Sequence, residues 1–198
     1  MVDIKQKDTK INKKTNKEEV IIGDNSSQVL KKAENSAIEV AKYLLSLDLN
    51  GKYFVTGKMP KISGISIPTI GNFRLNKLLH ISQILYCVKE GEYLFSDPLM
   101  AFEHGGIVYE VYRQFHFLVK QPDKSSRLHL SVKNFLDKIF HYFYNCRNEE
   151  LEEFVHTDPA WSEVWNQESS GIKEMPRSQK LINYYQKITS RLVEKIGL

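Results

Sequence analysis

Cysteine is nearly absent from this 198-residue chain: Cys87 and Cys146 are its only two, far apart and outside any CxxC or Cys/His spacing. That excludes a disulfide scaffold and a zinc ribbon, and it fits a reduced compartment, so a cytoplasmic protein is expected. No window approaches the roughly 18 consecutive apolar residues of a membrane span. Met1 to Asn16 is rich in Lys and Asn with no apolar stretch, and does not read as a secretory signal. Arginine is scarce as well. Only six of the 28 basic residues are Arg, which disfavours bidentate recognition of phosphate or guanine. There is no GxGxxG, no GxxxxGK[ST] and no GxSxG, so the phosphate-cradling loops and the hydrolase elbow are missing. The six histidines are His80, His104, His116, His129, His141 and His156, none at HxH, HExxH or HxxxH spacing. Neither a metal nor a cofactor is expected from such a set.

What is present is ordinary globular composition, with 41% hydrophobic, 11% aromatic and 26% charged residues. The length suits one domain, whose core can bury about 70% of the unfolded surface without a staple. Net charge is +4, but residues 1–32 hold eight Lys against five acids, leaving the rest nearly neutral. A nucleic-acid binder concentrates basic charge on a folded face, so that role is not favoured. It survives as an alternative in which the Lys-rich tail grips phosphates.

The chain divides into readable pieces. Residues 1–25 have the composition of a disordered tail, and residues 26–198 of a single helical domain. From Ser26 or Ser27 as N-cap, Leu30, Ala33, Ala37, Val40, Ala41, Leu44 and Leu45 predict a helix that Asn50-Gly51 ends. Residues 51–72 hold four Gly and two Pro and predict a loop, at most with a small hairpin. Leu75, Leu78, Leu79, Ser82, Leu85 and Tyr86 predict the strongest helix. Asp97-Pro98 offers an N-cap with Pro at N1 before the short run Leu99 to Phe102. Gly105-Gly106 reads as a hinge or a helix start. Further helices follow: one on Ile107, Val108, Val111, Tyr112 and Phe115, one from a Ser131 cap over Phe135 to Phe143, and a short acidic one at Glu149 to Val155. Asp158-Pro159 starts another, and the last carries Leu181, Ile182, Tyr185, Ile188, Leu192 and Ile196. The expected architecture is all-α, a compact multi-helix bundle.

Two segments stand out. In Leu94 to Tyr112, apolar and polar groups interleave around two backbone breaks, which gathers His104, Tyr109, Glu110 and Tyr112 near one exposed helix start. In Phe154 to Trp161, His156 ends one helix and Asp158 caps the next. A packed inter-helix connection and a helical corner with a core Trp are the plain readings; a binding face is the functional one. A hydrolase or metal enzyme built on His104, Glu110 and His156 is a weaker rival, and His80, on a helix beside apolar residues, reads as packing.

These segments, in this order, resemble the Panacea domain family of SocA-like antitoxins and phage-associated proteins. Val40 to Leu45 is similar to the family's first helix. Leu75-Asn76-Lys77-Leu78-Leu79-His80-Ile81-Ser82-Gln83 is similar to its Leu-x-Lys-Leu-Leu-Tyr-x-x-Gln element. Leu94-Phe95 and Ala101 to Tyr112 are similar to Leu-Phe and an Ala-aromatic-x-x-Gly-Pro-Val-x-x-x-Val-Tyr string. Leu151, Phe154, Val155, His156, Pro159 and Trp161 complete a resemblance over about residues 36–190. The chain departs from the pattern in having Gly106 for Pro, His80 for Tyr, Ala160 between Pro159 and Trp161, and a longer segment 51–72. The resemblance implies a small helical antitoxin, not an enzyme, that binds a cognate toxin protein. For some relatives it also implies presentation of the toxin to a protease. The candidate cluster for toxin binding or for the family signature is Tyr86, His104, Tyr109, Glu110, Tyr112, His156 and Trp161.

Overall fold

The computed structural model describes residues 33–54, 61–62, 65–66, 72–115, 126–165 and 172–198. The readings for the tail 1–25, the Ser26/Ser27 caps, His116 and most of 51–72 lie outside them. Seven helices make up most of these residues: α1 (Ala37–Leu47), α2 (Asn72–Glu90), α3 (Tyr109–Phe115), α4 (Leu130–Phe143), α5 (Asn148–His156), α6 (Pro159–Val164) and α7 (Gln179–Ile196). The mostly helical fold agrees with the apolar spacing, with two corrections. Ile107 pairs with Met100 in a strand, so that α3 begins only at Tyr109 and excludes Val108. Ile188 of α7 is exposed, not on the buried face.

The centre is α2. It packs against α1, α3, α4, α5 and α7 and against the strand β4 (Gly105–Ile107). Every residue from Leu75 to Leu85 is buried, as befits a helix with neighbours on all sides. The apolar stripe predicted for α2 is there. The opposite face, which carries Asn76, Lys77, His80 and Gln83, is buried as well, and these polar groups must find partners inside.

Strands are few but consequential. β1 (Lys61–Ile62) and β2 (Ile65–Ser66) pair antiparallel as the small hairpin allowed for segment 51–72. A second sheet has the order β4-β3-β5, with β3 (Met100–Phe102) paired antiparallel to β4 and to β5 (Lys173–Glu174). Residues 99–102 therefore do not continue as a helix from Asp97-Pro98, and Gly105-Gly106 starts a strand. The reason lies in Asp97, whose carboxylate accepts the Ala37 N–H at 2.7 Å and so caps a different helix. Arg177 fixes the same loop by donating to the carbonyls of Phe95 (3.2 Å), Ser96 (3.2 Å) and Asp97.

That loop also moves the start of α1. Residues 33–36 are not helical: Asn35 bridges to Phe95 in parallel and donates to the Leu94 carbonyl at 2.9 Å. The N-cap is Ser36, whose hydroxyl accepts the Glu39 N–H. At α4 the cap is His129 in place of Ser131, its Nδ1 accepting the Ser131 N–H at 3.3 Å. The predicted Asp158 cap of α6 is present, with the carboxylate accepting the Ala160 N–H at 2.8 Å.

Candidate functional site

The buried polar face of α2 reads the backbone of the segment that follows it. Gln83 Oε1 accepts the N–H groups of Leu94 (2.9 Å) and Phe95 (3.2 Å), and its amide donates to the Phe95 carbonyl at 3.3 Å. Asn76 Oδ1 accepts the Val108 N–H at 3.1 Å. Between them, His80 Nδ1 accepts the Gly106 N–H at 3.1 Å. An acceptor at Nδ1 places the ring proton on Nε2, which donates to Asp158 Oδ2 at 2.7 Å. Asp158 also accepts the Tyr185 hydroxyl at 2.7 Å. The buried carboxylate thus has three donors, on α2, α6 and α7, which compensates its desolvation. Burial and the neighbouring carboxylate push the Tyr185 phenol far above the ordinary tyrosine range.

This network binds elements together and offers no reaction site. His80 is fully buried, and both its ring nitrogens are engaged within the chain. The adjoining cavity, between His80, Asp158, Tyr185, Tyr93 and Arg177, measures about 20 Å³. That is room for one water and for nothing larger.

The accessible chemistry lies on the other side of the β3–β4 turn. Trp161 donates its indole N–H to the Phe102 carbonyl at 2.8 Å. The His156 ring stacks on the Trp161 ring at 4.2 Å and 13°, and Trp165 continues the stack at 6.0 Å and 18°. His156 Nε2 donates to the Glu103 carbonyl at 3.1 Å. Glu152, on α5, reaches His104 Nδ1 at 2.7 Å and lies 3.9 Å from His156 Nε2. Beneath the turn is Lys77, with its ammonium 4.6 Å from the centre of the Phe73 ring. Burial lowers its pKa to about 8, an effect that the Glu152 charge opposes.

The predicted cluster therefore divides. His104, His156 and Trp161 come together around one turn. Tyr109 and Glu110 stand exposed in the first turn of α3, where Glu110 lies 3.8 Å from Arg113, and Tyr112 is half-buried on the same helix. Tyr86 lies on α2 with its ring edge-on to Phe135 at 5.2 Å. Glu152 takes the place beside His104 that the metal-enzyme alternative assigned to Glu110. Among the described residues no three His, Cys, Asp or Glu side chains are placed to hold a metal ion. No described helix is long and apolar enough to cross a membrane.

Sequence reasoning did not pick out Glu152, Lys77, Asn76, Gln83, Asp158 and Tyr185 as partners. The one available signal was a run of polar residues on an otherwise apolar central helix.

Residues 75–162 match the family of SocA-like antitoxins, the Panacea domain. The Panacea match begins at the first leucine of the α2 motif and ends just after Trp161, so it contains the β3–β4 turn, α5 and the start of α6. Two of its polar motif positions now have roles: His80 holds the backbone of β4 at Gly106, and Gln83 holds the Leu94-Phe95 backbone. Val40 to Leu45 and α7 lie outside the Panacea match. No curated protein and no solved structure matches the chain.

Proposed function

We propose that this protein is an antitoxin that neutralises a cognate toxin by direct binding, without turnover. The observation that carries the reading is that the Panacea match encloses the whole face of Phe102, Glu103, His104, Glu152, His156 and Trp161. That face has the chemistry of a protein interface: half-buried stacked aromatics at its centre, and carboxylates and imidazoles around them. The scaffold behind it is rigid, because His80 and Asp158 tie β4 to α2, α6 and α7 through buried hydrogen bonds. A rigid face loses little conformational entropy on binding, which favours a tight steric block of the toxin surface. Presentation of the bound toxin to a protease belongs to the same reading and needs a second, unobstructed surface.

The test is co-expression with the product of each adjacent gene, scored for growth rescue and co-purification. Rescue together with a stable complex supports the antitoxin reading. A set of neighbours that is neither toxic nor co-purified removes it.

A further inference from the structure

The outward side of α7 is a second surface, beyond residues 75–162 and beyond the toxin-binding reading. Ile182 and Tyr185 turn inward and are buried, and the Tyr185–Asp158 hydrogen bond of 2.7 Å fixes the helix to the core. On the opposite side Lys180, Tyr184, Lys187, Ile188, Arg191 and Lys195 recur at helical spacing and form one stripe. Tyr184 is 43% exposed and Ile188 48%, neighbours at i and i+4 in the middle of that stripe. Four cations surround them, against one acid on the helix, Glu194. Among the described residues none of these four cations forms an ion pair. Lys195 rests 5.7 Å above the Tyr142 ring.

We propose that this stripe docks a protein partner whose own surface sets carboxylates around an apolar centre. Charge complementarity selects an acidic partner, since positive charge is gathered here on a body that is otherwise nearly neutral. The exposed Tyr184–Ile188 pair selects protein over nucleic acid: a phosphate backbone satisfies the lysines and leaves Ile188 with nothing to cover it. A bilayer is disfavoured because the apolar face of α7 is already spent on the core. From Lys180 to Lys195 the stripe runs about 22 Å, long enough to seat a partner helix or strand.

The test uses the full chain, isotopically labelled, titrated with two probes of equal net charge. One is a synthetic amphipathic peptide with leucines flanked by glutamates, and the other is a single-stranded DNA oligonucleotide. The peptide is expected to shift the amides of Tyr184, Lys187, Ile188 and Arg191. The double variant K187E/R191E is expected to weaken peptide binding about tenfold or more and to flatten its salt dependence. Y184S/I188S is expected to weaken it comparably while keeping the salt dependence. Neither variant touches Ile182 or Tyr185, so thermal unfolding should stay close to wild type; if K187E/R191E unfolds, K187Q/R191Q is read in its place. Tighter binding of the oligonucleotide, no shift on α7, or unchanged binding by both variants overturns the proposal. Growth rescue by the α7 variants is scored separately, so a failed antitoxin reading and a failed α7 reading give different results.

Discussion

His80 Nδ1 accepts the N–H of Gly106 at 3.1 Å, and this bond joins two of the places where the chain departs from the Panacea pattern. A proline at 106 has no N–H to give, and a tyrosine at 80 has no ring nitrogen to receive one. The two departures are therefore coupled. Gly106 lies on β4, an edge strand opposite Ala101, and its N–H turns to α2. A proline there removes the bond to His80 without breaking the sheet.

The coupling predicts a double-mutant cycle. Gly106→Pro alone should destabilise by about 1–3 kcal/mol, because it leaves a buried acceptor unsatisfied. A Cβ at 106 also meets Met175 Sδ at 2.8 Å and His80 Nδ1 at 3.0 Å. In the background of His80→Tyr the cost of Gly106→Pro should fall by about 1 kcal/mol or more. Thermal melts read this as a smaller drop, at roughly 2–4 °C per kcal/mol for a chain this size. Strict additivity of the two substitutions argues against the coupling.

Asp158 holds α2, α6 and α7 together, so its replacement should be severe. Asp158→Ala strands the His80 Nε2–H and the Tyr185 hydroxyl in a buried site, with an expected loss of about 3–5 kcal/mol. Tyr185→Phe removes a single donor and should lose about 1–2 kcal/mol. Urea unfolding of the pair ranks the two. An Asp158→Ala variant as stable as Tyr185→Phe contradicts a shared, three-donor carboxylate.

The contrast with Asp97 shows what was legible in the sequence. Helices α2, α4 and α7 follow from leucine and aromatic spacing, because burial of an amphipathic face is a local pattern. The Asp158-Pro159 cap was legible for the same reason, since cap and capped amide are two residues apart. Asp97-Pro98 has the same local signature, yet its carboxylate serves Ala37, sixty residues earlier. A four-residue apolar run such as Leu99 to Phe102 fits strand and helix alike, and its strand partner β5 lies beyond 170. Likewise His104, His156 and Trp161 were each visible as unusual residues. Glu152, which links the two histidines, looked like one more acid on an acidic helix.

Lys77 gives stability a defined pH dependence. Its ammonium has a pKa of about 8 in the fold and its ordinary value of 10.5 in the unfolded chain. Between those values the unfolded state binds the extra proton, so stability rises with pH through that window. Below it both states are protonated, and the full cost of burying the charge, roughly 3 kcal/mol, is present. Tyr43, Tyr53 and Tyr93, pushed up to about 12, act in the opposite sense once free tyrosine ionises near 10. From about pH 8 to about pH 9.5 the wild type should therefore gain about 1–2 kcal/mol relative to Lys77→Met. Parallel urea midpoints for the two proteins across that range would show that Lys77 is not desolvated in the fold.

The candidate face can be separated from the scaffold by comparing His104 with Trp161. His104 has a side chain 58% exposed and pairs with Glu152, so His104→Ala should change stability by less than about 0.5 kcal/mol. Any loss of toxin affinity in that variant reports direct contact. Trp161→Ala removes both a stacked ring and the indole bond to the Phe102 carbonyl, and is expected to lower stability and affinity together. Trp161→Phe keeps a ring against His156 and loses only the hydrogen bond, which isolates the positioning of the β3–β4 turn. On the proposed function, His104→Ala and Trp161→Phe each weaken toxin binding about tenfold, a hot-spot effect of roughly 1.4 kcal/mol. The measurement is calorimetric titration of the toxin identified by growth rescue, with thermal melts of each variant beside it. Wild-type affinity in both variants would place the toxin elsewhere on the molecule.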